Sequence, residues 1–242
     1  LLLAGSLLMA VPVCALLGAG IERLAYRPLR NAPRLAPLIT AIGVSIVLQN
    51  VAMMIWGRQY IPFPDILPHE PIHLGAATFL PVQGVIVGLS GVLMIGLLLL
   101  VHHTRLGRAM RATAQAPSVA RLMGVSVDRV IASTFVIGSV LAAVAGVMVT
   151  ANYGQAHAYM GFMLGLKAFS AAVLGGIGNL AGAVVGGLLL GLIESLGAGY
   201  IGDVTGGFLG SQYQDVFAFL VLILVLVFRP SGLLGERLAD RP

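Results

Sequence analysis

Lys167 is the only lysine in the chain, and it sits inside an apolar run. Glu194 and Asp215 lie in the two apolar runs that follow, so three ionisable groups fall near or within the outer half of successive candidate membrane spans. Charge within a membrane is costly and marks a functional candidate by default. Each group also lies within about two turns of an outer helix end, where a long side chain can reach water while its stem stays in lipid. Two readings therefore stand together: groups on a transport pathway, for which Lys167 and Glu194 are the candidates, or groups solvated near a helix end. Lys167→Met is expected to leave insertion intact, because the neighbouring residues are apolar.

Other chemistry is scarce. Ala168 follows Lys167, so no GxxxxGK[ST] phosphate loop exists, and there is no HExxH, GxSxG or CxxC. Any ATP used by this protein must be bound by another chain, and no cofactor of its own is expected. His69 and His73 have the i, i+4 spacing of a metal pair, but Pro71 between them disfavours the helix that would align them, so no metal is expected. The run Gly175-Gly176-Ile177-Gly178-Asn179 has two readings. One is a backbone nest for an anion; the other is a tight turn with close packing, and Gly175, Gly176, Gly178 and Asn179 are gating candidates on either.

Composition says what must position these groups. Of 242 residues, 58% are hydrophobic and 10% charged, and mean hydropathy is +0.99. A soluble domain has about 25% charged residues, so most of this chain faces lipid or other helices. Cys14 is the single cysteine, which excludes an internal disulfide. The net charge of +5 could serve nucleic acid, but the arginines sit at the ends of apolar runs without interleaved aromatics, which is the pattern of membrane topology.

The expected architecture is an all-α, polytopic transmembrane bundle of about seven crossings forming one permease-sized domain over residues 1–242. Residues 1–20 form a span without the basic start of a signal peptide. Segment 21–37 carries Arg23, Arg27, Arg30 and Arg34 against Glu22, which places it in the cytoplasm, as a topology anchor or a contact for a partner or anionic lipid. A span over 38–55 ends at Trp56, a belt residue. Loop 56–81 is external, with five prolines and one arginine, Arg58. Spans over 82–101 and 130–150 flank a cytoplasmic segment, 102–129, and the Gly138-x3-Ala142-x3-Gly146 series in the second predicts close helix packing. Loop 151–161 is external and holds Asn152, Tyr153, Gln155, His157 and Tyr159.

Residues 162–177 are only sixteen long, short of the ~20 that usually span, so a re-entrant dip competes with a full crossing. A dip would leave tail 229–242, with Arg229, Arg237 and Arg241, on the outside. A full crossing puts the tail in the cytoplasm, where charge bias requires it. On that count twelve of thirteen arginines are cytoplasmic.

Segment 105–129, RLGRAMRATAQAPSVARLMGVSVDR, is the longest polar interruption, with five arginines against Asp128. Gln115-Ala116-Pro117 reads as a helix start and Gly124 as its stop. The helix between, residues 117–123, is about 10 Å long. Val119, Ala120, Leu122 and Met123 form its apolar face, with Ser118 and Arg121 polar. A short amphipathic helix on the basic side of a membrane protein is expected to dock into a cytoplasmic partner, through Gln115, Pro117, Ala120, Arg121, Met123 and Gly124.

The chain resembles the permease subunits of the branched-chain amino acid ABC importer family, the H-type subunit more than the M-type. The resemblance covers essentially all 242 residues and rests on IERLAYRPLR, LITAIGVSIVLQN, GRAMRATAQ, RLMGVSVDRVIASTFVIGS, LKAFSAAVLGGIGNLAGAVVGGLLLG and LVFRPSGLLG. It implies a coupling helix at 115–124 and a bacterial inner-membrane location. It also implies a second permease subunit, two ATP-binding subunits and a periplasmic substrate-binding protein. Family members begin with further spans bearing an Asn-Phe-Ala-His-Gly-type motif that this sequence lacks, so an N-terminally truncated copy is expected. Urea or short amides are the competing substrates. Two readings from other classes are a secondary transporter, which would need coupling-ion groups at mid-membrane, and a non-transporting scaffold.

Overall fold

The computed structural model describes residues 2–30, 32–33, 36–64, 72–74, 77–204, 213–229 and 231–235. Arg34, His69, Arg237 and Arg241 lie outside them. Two compact units divide the chain, Leu1–Met160 and Gly161–Pro242. Among the described residues, five helices are long and apolar enough to cross a membrane, and two shorter apolar helices, Met160–Gly175 and Ala218–Phe228, accompany them. The protein is an all-α membrane bundle with helices for about seven crossings.

In the first unit, α1 (Leu2–Ile21) runs into a π-helical turn, Glu22–Tyr26, and a 3₁₀ turn, Arg27–Leu29. The segment expected as a polar loop from residue 21 is thus helical almost to its middle. Helices α2 (Ala36–Trp56), α3 (Pro81–His103) and α6 (Val127–Tyr153) match the expected spans within a few residues at each end. Between α3 and α6 stand α4 (Arg105–Gln115) and α5 (Pro117–Leu122). Sequence reading anticipated α5 but not α4.

The core of this unit is the α1–α6 pair. Gly18 lets α6 approach so closely that a Cβ there would overlap the Ser139 side chain. Tyr26 and Phe135 rings meet at 4.8 Å, and Ala143, Val144 and Met148 are buried on α6. The Gly138–Ala142–Gly146 stripe, expected to pack, is exposed in this chain, with open space where side chains on the two glycines would go. Packing against α1 runs instead through Phe135 and Ser139, one turn apart on α6.

Short strands join the loops expected to be external. Strand β1 (Ile61–Pro62) pairs antiparallel with β4 (Gln155–Ala156), and β2 (Ile72–Leu74) pairs with β3 (Ala77–Phe79).

In the second unit, α7 (Met160–Gly175) and α8 (Leu180–Val204) form a hairpin, and α9 (Gln214–Phe228) packs on α8. Ala171, Leu190 and Ala218 make the buried cluster where the three helices meet. Small residues allow this contact: a Cβ on Gly182 would stand 2.5 Å from the Gly175 carbonyl oxygen.

Candidate functional site: the α5 knob, its ion-pair anchor and the membrane triad

Helix α4 begins at Thr104, whose Oγ1 accepts from Gly107 N–H at 3.0 Å, a standard N-cap bond. Its Leu106, Ala109, Met110 and Thr113 face inward, while Arg105, Arg108 and Arg111 are exposed. The 3.6-residue period of the helix thus separates an apolar face from a basic one. Gly107 sits tight against the carbonyls of Leu100 and Val101, so α4 folds back sharply on the end of α3.

Helix α5 follows with Pro117 in its first turn and Met123 as C-cap. Gly124 has φ +82°, Val125 N–H donates to Ala120 O at 3.0 Å, and Gly124 N–H donates to Arg121 O at 3.0 Å. This is a Schellman ending, which needs the left-handed residue that glycine supplies without strain. Ala120 is 4% exposed and seats the helix on the unit, while Val119 (55%), Leu122 (87%) and Met123 (80%) project outward. The four apolar residues therefore divide: one anchors and three form a knob. Gln115 and Arg121 are exposed beside it.

Just beyond this knob lies a charge cluster that sequence spacing did not reveal. Arg30 forms ion pairs with both Glu22 and Asp128, and Arg27 lies 3.6 Å from Asp128. Glu22 is 4% exposed. Asp128 occupies the first turn of α6, where a negative charge also complements the helix dipole. A signal existed: Glu22 and Asp128 are the only acids in two arginine-rich segments.

On the expected external side, the β1–β4 pair is extended by Phe63 N–H donating to Gly154 O at 2.9 Å. His157 stacks on Tyr60 at 4.5 Å and lies 5.4 Å from Tyr159. Tyr159 N–H lies 3.3 Å from His157 Nδ1, and His157 Nε2 lies 3.3 Å from Arg58 O. The two loops are one structure.

In the second unit the three charged side chains converge. Lys167 Nζ lies 3.0 Å from Glu194 Oε2 and 2.8 Å from Asp215 Oδ1. Their side chains are 24%, 18% and 31% exposed, respectively, and Glu194 Oε1 is buried without a hydrogen-bond partner among the described residues. They pair with one another, so the view of three separately solvated groups gives way to a shared cluster. Removing the ammonium, as in Lys167→Met, would leave two facing carboxylates without their shared cation.

The glycine run forms a tight turn. Gly176 and Gly178 have φ +111° and +95°. Asn179 Oδ1 accepts from Gly182 N–H at 3.0 Å, capping α8. Residues 231–235 dock on this turn: Leu233 and Leu234 N–H groups donate to the Leu174 and Gly175 carbonyls at 2.9 Å. Asn179 Nδ2 donates to Leu234 O at 2.9 Å. The tail thus satisfies carbonyls that the end of α7 would leave free.

Apolar spans, a helical knob and a charged cluster between apolar helices define a polytopic membrane protein. The chain belongs to the family described as branched-chain amino acid transport system / permease component, whose model matches residues 1–226. The high-affinity branched-chain amino acid transport system permease protein LivH of Escherichia coli is 43% identical over 241 residues, 98% of this chain and 75% of that protein. The corresponding protein BraD of Pseudomonas aeruginosa is 45% identical over 231 residues, 94% of this chain and 73% of that protein. More distant is the autoinducer 2 import system permease protein LsrC of Photorhabdus luminescens, 27% identical over 199 residues, covering 81% and 57%. No solved structure matches the chain. The chain is a membrane-spanning permease subunit.

Proposed function

We propose that this permease subunit serves an ATP-binding-cassette importer of branched-chain, hydrophobic amino acids and works by alternating access. The observation that carries the reading is α5: a helix anchored by Ala120, stopped by Gly124, and presenting Val119, Leu122 and Met123 to solvent. Exposed apolar side chains at this density need a partner surface. Two ATP-binding subunits supply it, with Gln115, Pro117, Ala120, Arg121, Met123 and Gly124 as the contact segment. ATP binding and hydrolysis occur on those chains and not on this one.

The remaining assignments follow from that orientation. Segments 21–37 and 102–129 and tail 229–242 face the cytoplasm of a bacterial inner-membrane protein, and 56–81 and 151–161 face outward. The joined β1–β4 loops then receive a periplasmic substrate-binding protein. A second permease subunit completes the pathway. Lys167 and Glu194 border it, and the Gly175, Gly176, Gly178 and Asn179 turn holds the cytoplasmic end of α7 and α8 while the bundle reorients. ATP drives this only if nucleotide binds the two conformations with different affinity. Solvated membrane lipid is the only other surface required, and nucleic acid has no part.

The test is uptake by proteoliposomes holding this chain with its second permease subunit, the two ATP-binding subunits and the binding protein. ATP-dependent leucine uptake that survives collapse of ion gradients supports the reading. Uptake that follows an ion gradient without ATP overturns it in favour of a secondary transporter. Uptake of urea or short amides with leucine excluded moves the substrate while retaining the importer class, and absence of any ATP-driven uptake leaves the scaffold reading.

A further inference from the structure

We infer that Glu22, Arg30 and Asp128 form a relay that carries displacement of α5 into α1, which makes them positioning residues for energy coupling. The inference rests on the importer reading above. It begins with the stiffness of the connection. Between α5 and α6 lie only residues 123–126, and their backbone is tied at both ends. Val125 N–H bonds back to Ala120 O at 3.0 Å, and Arg129 and Val130 N–H groups donate to Ser126 O at 3.0 and 3.1 Å. Ala120 and Val127, on either side, are 4% and 3% exposed. A push on α5 therefore has no slack loop in which to dissipate before it reaches Asp128.

From Asp128 the path is a charged contact. Arg30 presents a planar fork that can grip two carboxylates at once, and here it takes Asp128 of α6 and Glu22 at the end of α1. Arg27 adds a second cation to Asp128 at 3.6 Å. The Arg30 side chain is 20% exposed and that of Glu22 is 5%, so this half of the relay is shielded from salt and water. Both acids and both arginines come from segments that flank spans.

The backbone at the receiving end is not plain α-helix. Glu22 opens the π-helical turn, Arg27 N–H closes it on Glu22 O, and a 3₁₀ turn follows at once. Such departures mark places where a helix can change its winding, and they recur at functional sites. Arg30 grips α1 at this point. The helix that receives the push is also the one in closest contact with α6, through Gly18 and Ser139 and through Tyr26 and Phe135. Coupling through such an element requires that it bias two discrete arrangements; the relay supplies the link and the π turn supplies the joint.

The experiment compares the wild-type complex with Asp128→Asn and Asp128→Glu in proteoliposomes, measuring leucine uptake and ATP hydrolysis on the same preparations. Asp128 is the variant of choice because its side chain is 51% exposed, so its amide is tolerated by the fold. A fluorescence-detected gel filtration profile reports the amount of assembled complex. The relay predicts that Asp128→Asn keeps assembly and hydrolysis within about twofold while uptake per ATP falls roughly tenfold, the size expected for loss of a charge-assisted contact that acts in the conformational step. Asp128→Glu restores at least about half of the uptake, since it keeps the charge. Unchanged uptake per ATP in Asp128→Asn overturns the relay, as does a fall in hydrolysis and uptake in proportion to lost assembly. A wild-type complex without ATP-driven uptake overturns the importer reading itself, which separates that failure from failure of the relay.

Discussion

Lys167 on α7 and Glu194 on α8 meet at 3.0 Å although they stand 27 positions apart in the chain. Asp215 of α9 reaches the same ammonium at 2.8 Å. One cation thus holds three helices of the second unit together. Breaking a buried pair by removing one partner costs more than removing the whole pair, because the survivor is left uncompensated.

Lys167→Met is expected to destabilise the purified protein by about 1–3 kcal/mol, below the cost at a fully buried site because these side chains are partly exposed. Lys167→Met combined with Glu194→Leu and Asp215→Leu should regain most of that stability in thermal unfolding. If the cluster also borders the pathway, the triple variant folds but does not transport. A stable Lys167→Met single variant would contradict the pairing.

The tail offers a local test. Gly176 has φ +111°, and a Cβ there would strike Gly235 backbone. Gly176→Ala is therefore strained and sterically blocked, and should undock residues 231–235. The Leu233 and Leu234 amides, bonded to Leu174 and Gly175 carbonyls, should then exchange with deuterium about tenfold faster or more. Unchanged protection would show that the tail does not depend on the turn.

On the outer loops, His157→Ala removes the ring stacked between Tyr60 and Tyr159. The loss of aromatic contact is worth about 0.5–1.5 kcal/mol per pair, felt locally at β1–β4. Stimulation of ATP hydrolysis by the binding protein should fall while basal hydrolysis persists. Full stimulation in this variant would remove the joined loops from the docking surface.

Much of this was legible from residue order because membrane burial leaves a strong, one-dimensional signal. Runs of apolar residues broken by arginines gave the spans of α1, α2, α3 and α6 within a few residues, and Pro117 and Gly124 bracketed α5 because both act through their own backbone. What stayed hidden depends on distant neighbours. Arg30 meets Asp128 across 98 positions, and β1 meets β4 through single residues such as Ile61 and Ala156. The row Arg105, Arg108 and Arg111 carries the period of α4, but charge bias alone accounts for those arginines, so they do not by themselves mark a helix. The Gly138–Ala142–Gly146 stripe shows the reverse error: small residues permit close packing without saying which helix uses it.

The partition of α5 gives a sharper variant set than its apolar content alone. Ala120→Trp overpacks a buried seat and should cost about 1–3 kcal/mol in fold stability. Leu122→Asp and Met123→Asp change residues that are 87% and 80% exposed, and should leave the isolated chain within about 0.5 kcal/mol of wild type. Arg121→Glu, also exposed, reverses charge at the same tip.

The most direct test is co-purification of this chain from mild detergent with the two ATP-binding subunits, comparing wild type with Arg121→Glu and with Leu122→Asp/Met123→Asp. Capture by wild type, lost in both variants while each still elutes as folded protein with its second permease subunit, is the predicted result. Equal capture by all three, or no capture by folded wild type, would contradict the account that α5 is where ATP-binding subunits engage this permease.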